Sequence, residues 1–361
     1  MKKRLKIAVV YNEVDISIYK KVDDEFEEEQ DFVPYFEIDD LTPMEEYEII
    51  SRKLKRIGFS SYALNIKDDI YLFLNDIKEN RPNVIFNFIE LFNDDPTLEM
   101  NIVGLLELLG IPYTGAPALA LANCQSKILT KKMLNGVGIK TPKFFVTESH
   151  INVINHSLNY PVIVKPAMED ASAGIGNNSI VTNDALLIER INHVLKYFEQ
   201  PALAEEFIEG RELNLAILGD ENPRALPISE IDFSTMPEHL YNIVSYEAKW
   251  EPHDEAYHKT IPICPAILPK TIENDAKKIA IKAFKTMQCR DYARIDIRLS
   301  ENNELFVLEV NPNPDLTEGA GFMRSMEAAN YTYSKALKKI IDLAYKRGKR
   351  NNKKHWLVEG Y

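Results

Sequence analysis

Two short alternating stretches near the C-terminus constrain this chain more than any other feature: YARIDIR at 292–298 and FVLEVN at 306–311, separated by the polar run SENNE at 300–304. Strict alternation of polar and apolar residues is the signature of half-buried strands, and the Asn302-Asn303 pair is chemistry a tight hairpin accepts. Side chains alternate across a strand, so Arg294, Asp296 and Arg298 share one face, as do Glu309 and Asn311. The hairpin therefore aims two carboxylates, one amide and a guanidinium at a common point. Hard oxygen donors of this kind suit Mg²⁺, which usually keeps waters and substrate phosphates in its shell. The plainer reading is that any half-solvated antiparallel hairpin alternates in this way. Against it, the carboxylates do not stand opposite lysines, and Asn311 opens the loop NPNPD at 311–315, where two prolines fix the backbone.

A chain of 361 residues with 45% hydrophobic content has material for two or three domains with substantial cores. Its net charge of −12 leaves no overall cationic field, and no basic stripe with interleaved aromatics is present, so nucleic acid is not an expected partner. Cys124, Cys264 and Cys289 are far apart and odd in number, which indicates neither a disulfide framework nor a CxxC site and fits a reducing cytoplasm. The basic start MKKR precedes an apolar run too short for a signal peptide, and no membrane segment is expected.

Along the chain, residues 5–10 read as a buried strand and the acidic block at 23–31 as a solvated stretch. A helix is expected over 41–57, stopping at Gly58, and a second buried strand over 84–86. Thr97 is the expected cap of a helix that places Ile102, Leu105, Leu106 and Leu109 on one face before Gly110. A new unit begins near Asn123: Ser126 caps a helix over 128–134 with Lys127 in its first turn. A lysine where the helix dipole is already positive indicates an anion nearby, or a side chain simply turned to water. The strand VIVKP at 162–166 ends in Lys165, and the small, partly glycine-rich loop at 167–176 is suited to approaching phosphates. Further helices are expected over 272–287 and 325–345, then a solvated basic tail at 346–354. His253 and His258 have no third soft ligand nearby, and no zinc is assigned.

The R-x-D and E-x-N pattern of the hairpin resembles the magnesium site of the ATP-grasp superfamily, and its surroundings resemble the D-alanine–D-alanine ligase-like branch. Similar segments occur in the family's order: LLELLGIPYTG at 105–115, QSK at 125–127, VKP at 164–166, EEFIEGRE at 205–212, YEAK at 246–249 and CPA at 264–266. The match runs from about residue 84 to about residue 324. The resemblance implies a mixed α/β (α+β), three-domain ATP-grasp architecture, with an N-terminal Rossmann-like unit at 1–122, a central unit with a lid loop at 123–211 and a C-terminal unit with the metal site at 212–361. ATP would lie between the last two.

It also implies roles. Asp296, Glu309 and Asn311 would hold two Mg²⁺ ions, with Mn²⁺ as an alternative. Lys127 and Lys165 would contact the ATP phosphates and Ser172 would lie in the lid. The backbone around Glu206, Phe207 and Ile208 would hold adenine, Glu205 would meet the exocyclic amine, and Glu212 would accept the ribose hydroxyls. Arg294 and Lys249 are the catalytic candidates. The expected function is ATP-dependent joining of a small-molecule carboxylate to an amine through an acyl phosphate, in the cytoplasm, with a homodimer suggested by the resemblance. The amino-acid side departs from the family: VYNEVD at 10–15 replaces a glycine-rich turn, NFIE stands at 87–90, Asp315 replaces glycine, Ala320 replaces serine, and Asp170 and Ala171 alter the lid. D-Alanine is therefore not the expected substrate, and Glu90, Asn313 and Asp315 are the substrate-side candidates. A small-molecule kinase, a genuine D-alanine–D-alanine ligase and an inert nucleotide-binding module are the alternatives.

Overall fold

A computed structural model describes residues 4–13, 43–169, 172–251 and 253–351. The acidic block at 23–31 and the lid residues Asp170 and Ala171 lie outside the described residues. The apolar run near the start forms β1 (Lys6–Tyr11), the middle strand of a parallel sheet between β2 (Ser60–Asn65) and β3 (Val84–Phe88). Continuous burial of Ile7 to Val10 is what a central parallel strand requires. Helix α1 (Pro43–Arg56) has Glu45 and Glu46 in its first turn and Lys53, Lys55 and Arg56 in its last, matching the helix dipole, and Gly58 follows at φ +101°. Helix α2 (Ile70–Asn80) is capped by Asp69, which accepts from the Tyr71 and Leu72 N–H groups. The expected cap at Thr97 is corrected: Asp95 accepts from Thr97 N at 2.8 Å, and one 3₁₀ turn precedes α3 (Glu99–Leu108). Val103, not Leu109, completes the buried face of α3.

After α4 (Ala118–Gln125) comes α5 (Lys127–Gly136), where Ser126 is the cap as expected, accepting from Leu129 N at 3.3 Å. A second, antiparallel sheet contains β4 (Phe144–Thr147), β5 (Val162–Pro166), β6 (Ile180–Val181) and β7 (Ala202–Glu206) in the order β4-β7-β5-β6, with α6 (Asp184–Tyr197) packed on it. The third sheet runs β11-β10-β8-β12-β13. Its strands are β8 (Gly210–Gly219), β9 (Arg224–Ala225) paired to its side, β10 (Ser229–Asp232), β11 (Ile261–Ile263), β12 (Asp291–Ser300) and β13 (Leu305–Asn311). The short helices α7 (Glu247–Trp250) and α8 (Glu255–Lys259) lead to α9 (Lys270–Thr286), which buries Ala276, Ala280, Ala283 and Phe284.

The single helix expected over 325–345 is two, α10 (Gly321–Ala328) and α11 (Tyr333–Asn351). Asn330, at φ +64°, breaks the run between them. The basic stretch from 346 is helical through Asn351 rather than a solvated tail, and Arg347 within it is buried.

The cores explain how these pieces hold together. One joins Val10, Ile85 and Leu106 of the first sheet and its helices to Leu213, Ile295 and Val307 of the third. Another joins Val9 and Leu54 to Leu218, Phe322 and Ile340. The second sheet instead packs Val162, Val164, Leu187, Ile191 and Ala204 in a core of its own. Among the described residues, no helix is long and apolar enough to cross a membrane.

A buried ionic joint ties the first and third units. Asp291, fully buried at φ +62°, accepts from Arg347 of α11 and, at 3.0 Å, from Gly115 N. Arg347 also donates to Tyr113 O at 2.6 Å. Removing the cation leaves a buried carboxylate without its partner, so Arg347→Ala should lower unfolding stability by about 3–5 kcal/mol. The shift of the urea midpoint checks this, and an unchanged midpoint would exclude the joint as a stabilising element.

Candidate active site

Strand register assembles the site. Across β12 and β13, Asp296 stands opposite Glu309 and Arg294 opposite Asn311; across β12 and β8, Asp296 stands opposite Asn214 and Arg298 opposite Glu212. All seven polar side chains therefore belong to one face of the sheet, and all but Asn311 line a single cleft with Lys165, Ser172, Glu205, Glu206, Phe207, Ile208, Lys249 and Arg324.

At the carboxylate end, Arg294 forks onto Asp296 with both contacts at 2.8 Å and lies 4.0 Å from Glu309. Asn214 donates to Asp296 Oδ1 at 2.8 Å, and Asn311 Nδ2 donates to Asp296 at 2.9 Å and Glu309 at 3.1 Å. Two carboxylates facing each other, Asp296 buried and Glu309 half-buried, resist joint ionisation. Burial, with Glu309 adding to it and Arg294 opposing, pushes Asp296 up to about 6. Burial works the same way on Glu309, but Lys127, Lys249, the hydrogen bond with Asp296 and Arg294 outweigh it and hold Glu309 well below the usual carboxylate range. A divalent cation would remove this conflict. The donor set fits one: two carboxylates and an amide that, turned over, presents its oxygen.

At the other end, Glu205 is buried between Lys165 at 2.7 Å and Lys131 at 2.5 Å. The Lys131 contact is ionic and poorly directed for a hydrogen bond. Burial opposes the Glu205 charge, but the two ammonium groups prevail and lower its pKa to about 2. Burial also lowers the pKa of Lys131, against the attraction of Glu205. Glu205, expected to meet a nucleotide amine, lines the cleft and at the same time holds two lysines. Lys127 donates to Glu169 O at the mouth of the lid segment. Ser172, at φ +64°, donates to Val244 O at 2.8 Å. In the connection between β7 and β8, Glu206 N and Phe207 N are bonded to Lys143 O and Pro161 O, both at 2.9 Å. Glu212 is paired with Arg298 at 3.0 Å.

The three substrate-side candidates are not brought to the cleft lining. Glu90 is exposed. Asn313 accepts from Ala116 N at 2.9 Å and donates to Glu99 at 3.0 Å, so its amide docks the 311–315 loop onto the first unit. Asp315 accepts from Thr317 N and Oγ1 at 2.8 and 2.9 Å, closing its own turn. Sequence reasoning missed Lys131, Asn214 and Arg324, and placed Arg298 on the right strand face without giving it a role. Lys131 lies one helical turn after Lys127, and Asn214 two residues after Glu212, spacings that already placed them on the same faces.

The ion-pair cluster carries a pH signature. A depressed carboxylate contributes stability in full above its unfolded value of 4.5, lost as pH falls through about 2. Glu205→Gln should cost about 3–5 kcal/mol at neutral pH by stranding Lys131, while the double variant with Lys131→Met should recover most of it and lose the acid dependence. Denaturation midpoints from pH 7 to pH 2 check both, and parallel curves for wild type and double variant would reject the assignment.

Residues 133–342 match the family model described as D-ala D-ala ligase C-terminus. An uncharacterized protein of Sinorhizobium fredii is 32% identical over 68% of this chain and 70% of its own length. A D-alanine–D-alanine ligase of Desulforudis audaxviator is 33% identical over 68% of this chain and 77% of its own. The crystal structure of a D-alanine–D-alanine ligase from Bacillus anthracis complexed with ATP superposes with a TM-score of 0.70 at 21% identity, covering 96% of this chain and 99% of that one.

Proposed function

The chain belongs to the D-alanine–D-alanine ligase family of ATP-dependent, C–N bond-forming ATP-grasp enzymes, and on that footing we propose that it joins the carboxylate of an amino acid or related acid to an amine through an acyl phosphate. The observation that carries this reading is the shared cleft: Asp296, Glu309 and Arg294 face the same space as Lys165, Lys249 and Glu212. A carboxylate and an amine do not condense spontaneously in water. Transfer of the γ-phosphoryl group of ATP onto the carboxylate supplies a good leaving group, and the amine then displaces phosphate.

Asp296, Glu309 and Asn311 would hold Mg²⁺, which when bound neutralises charge on the phosphates. Lys127 and Lys165 orient the phosphate chain, and Glu205 and Lys131 keep the Lys165 ammonium in place. Lys249 acts on the transferring phosphoryl group. Arg294, held by Asp296, stabilises the oxyanion formed when the amine attacks. The connection at 206–208 takes adenine and Glu212 the ribose. Positioning and electrostatics account for the chemistry without a covalent enzyme intermediate.

The expectation against D-alanine finds no support among relatives whose printed names carry that activity, so D-alanine pairs lead the test. A different carboxylate, joined to an amino acid or other amine, is the second reading, favoured by Arg324, a cation suited to an anionic group. This extra cation lines the cleft, and its Nη2 is 3.7 Å from where a Cβ on Gly321 would lie. ADP and phosphate release should be measured with D- and L-amino acids singly and in pairs, with mass spectrometry of each mixture. A product equal to two substrates less water is expected; a phosphorylated substrate would replace the ligase reading with a kinase. Asp296→Asn and Glu309→Gln should each lower Mg²⁺-dependent turnover by more than about a hundredfold without loss of fold, because either change relieves the facing-carboxylate conflict. Undiminished turnover in both would remove the metal site from the mechanism.

A further inference from the structure

Arg298 takes no part in the chemistry above, yet it is among the most buried charged groups of the cleft, 3% exposed. Its guanidinium reaches three places at once. Nη2 contacts Glu212 Oε2 at 3.0 Å and donates to Asn242 O at 2.5 Å; Nη1 donates to Gly210 O at 3.0 Å. The rings of Phe207 and Phe233 each lie 5.6 Å from its central carbon, one belonging to the β7–β8 connection and the other following β10. Five fixed contacts leave this side chain one orientation. Burial disfavours its charge, and the Glu212 carboxylate works against that.

The groups it fixes are those that a nucleoside would meet. Glu212 faces the cleft with one oxygen held by Arg298 and acceptor capacity left over, since a carboxylate offers about four lone-pair directions. Asn242 lies in a strap at 239–246 that also holds the lid segment: Tyr241 N donates to Asn177 Oδ1 at 2.9 Å, Ser172 donates to Val244 O at 2.8 Å and Tyr246 N to Ile175 O at 2.7 Å. Ile243 of the strap packs on Ile163 and Ile180 of the second sheet, beside Phe207.

We propose that Arg298 is a positioning residue of the nucleotide site, fixing the Glu212 carboxylate to accept the ribose hydroxyls while anchoring the strap that carries the lid. The inference rests on the ATP-dependent reading above. Without Arg298, the buried Glu212 carboxylate loses the cation that orients it and is free to turn away, and ribose recognition weakens even where the base still binds.

The test is calorimetric titration of the full chain with ADP, 2′-deoxy-ADP and 3′-deoxy-ADP. Wild type should prefer ADP to each analogue by about ten- to a hundredfold, the range of a charge-assisted hydrogen bond. Arg298→Met should bind ADP at least tenfold more weakly and distinguish the analogues by less than about threefold, whereas Arg298→Lys should recover part of the preference. A merely structural role would weaken all three ligands alike and leave their ratios unchanged. Retention of the wild-type ratio by a folded Arg298→Met chain that binds ADP overturns the inference and leaves the ligase reading standing. Absence of ADP binding by wild type overturns both.

Discussion

Cross-strand pairing of unlike polar groups along one face of the third sheet is the constraint on which the site depends. In the register of β8, β12 and β13 every potential ligand faces a partner that can orient it: Asp296 lies between Asn214 and Glu309, Arg298 opposite Glu212, Arg294 opposite Asn311. A one-residue slip of β12 would turn Arg294, Asp296 and Arg298 into the core and bring Ile295 and Ile297 into the cleft. The other face of the sheet, packed on α9, holds that register with Ile295, Ile297 and Val307. Hydrophobic burial on one side thereby specifies electrostatics on the other.

The two ends of the cleft solve the problem of buried charge differently. Glu205 is satisfied within the protein by two lysines, and its ionised form is favoured. Asp296 and Glu309 are not fully satisfied by Arg294, and the pair resists carrying two charges. The first arrangement is complete as it stands and serves to hold Lys165; the second improves when a cation arrives. Buried ion pairs contribute little net stability, so their retention in this cleft is better explained by geometry than by energy.

Much of this was legible in local pattern. The hairpin, the Ser126 cap, the α9 core face and the Gly58 stop follow from periodicity and helix-end chemistry, which act over a few residues. The misses are tertiary. The partner of Glu205 comes from α5, 74 positions earlier in the chain, and Arg347 reads as part of a solvated basic tail because its partner Asp291 lies in another element. Asn313 and Asp315 enter as substrate-side candidates through the family comparison, and in the structure their side chains bond nearby backbone, Thr317 and Glu99, contacts that local pattern does not reveal. Thr97 was displaced as a cap by Asp95, two residues earlier, a shift within the usual uncertainty of helix ends.

The separate core of the second sheet has a thermodynamic consequence. The first and third units share two cores and the Asp291–Arg347 joint, whereas Val162, Leu187 and their neighbours form a core of their own. Cooperativity follows shared burial, so the nucleotide-free chain is expected to melt as two blocks, the smaller one first. A nucleotide held by both sides of the cleft would act as a thermal staple, merging the two heat-absorption peaks as its concentration rises. A single peak without nucleotide would mean that the strap at 239–246 and the Lys131–Glu205 pair suffice to make the blocks one.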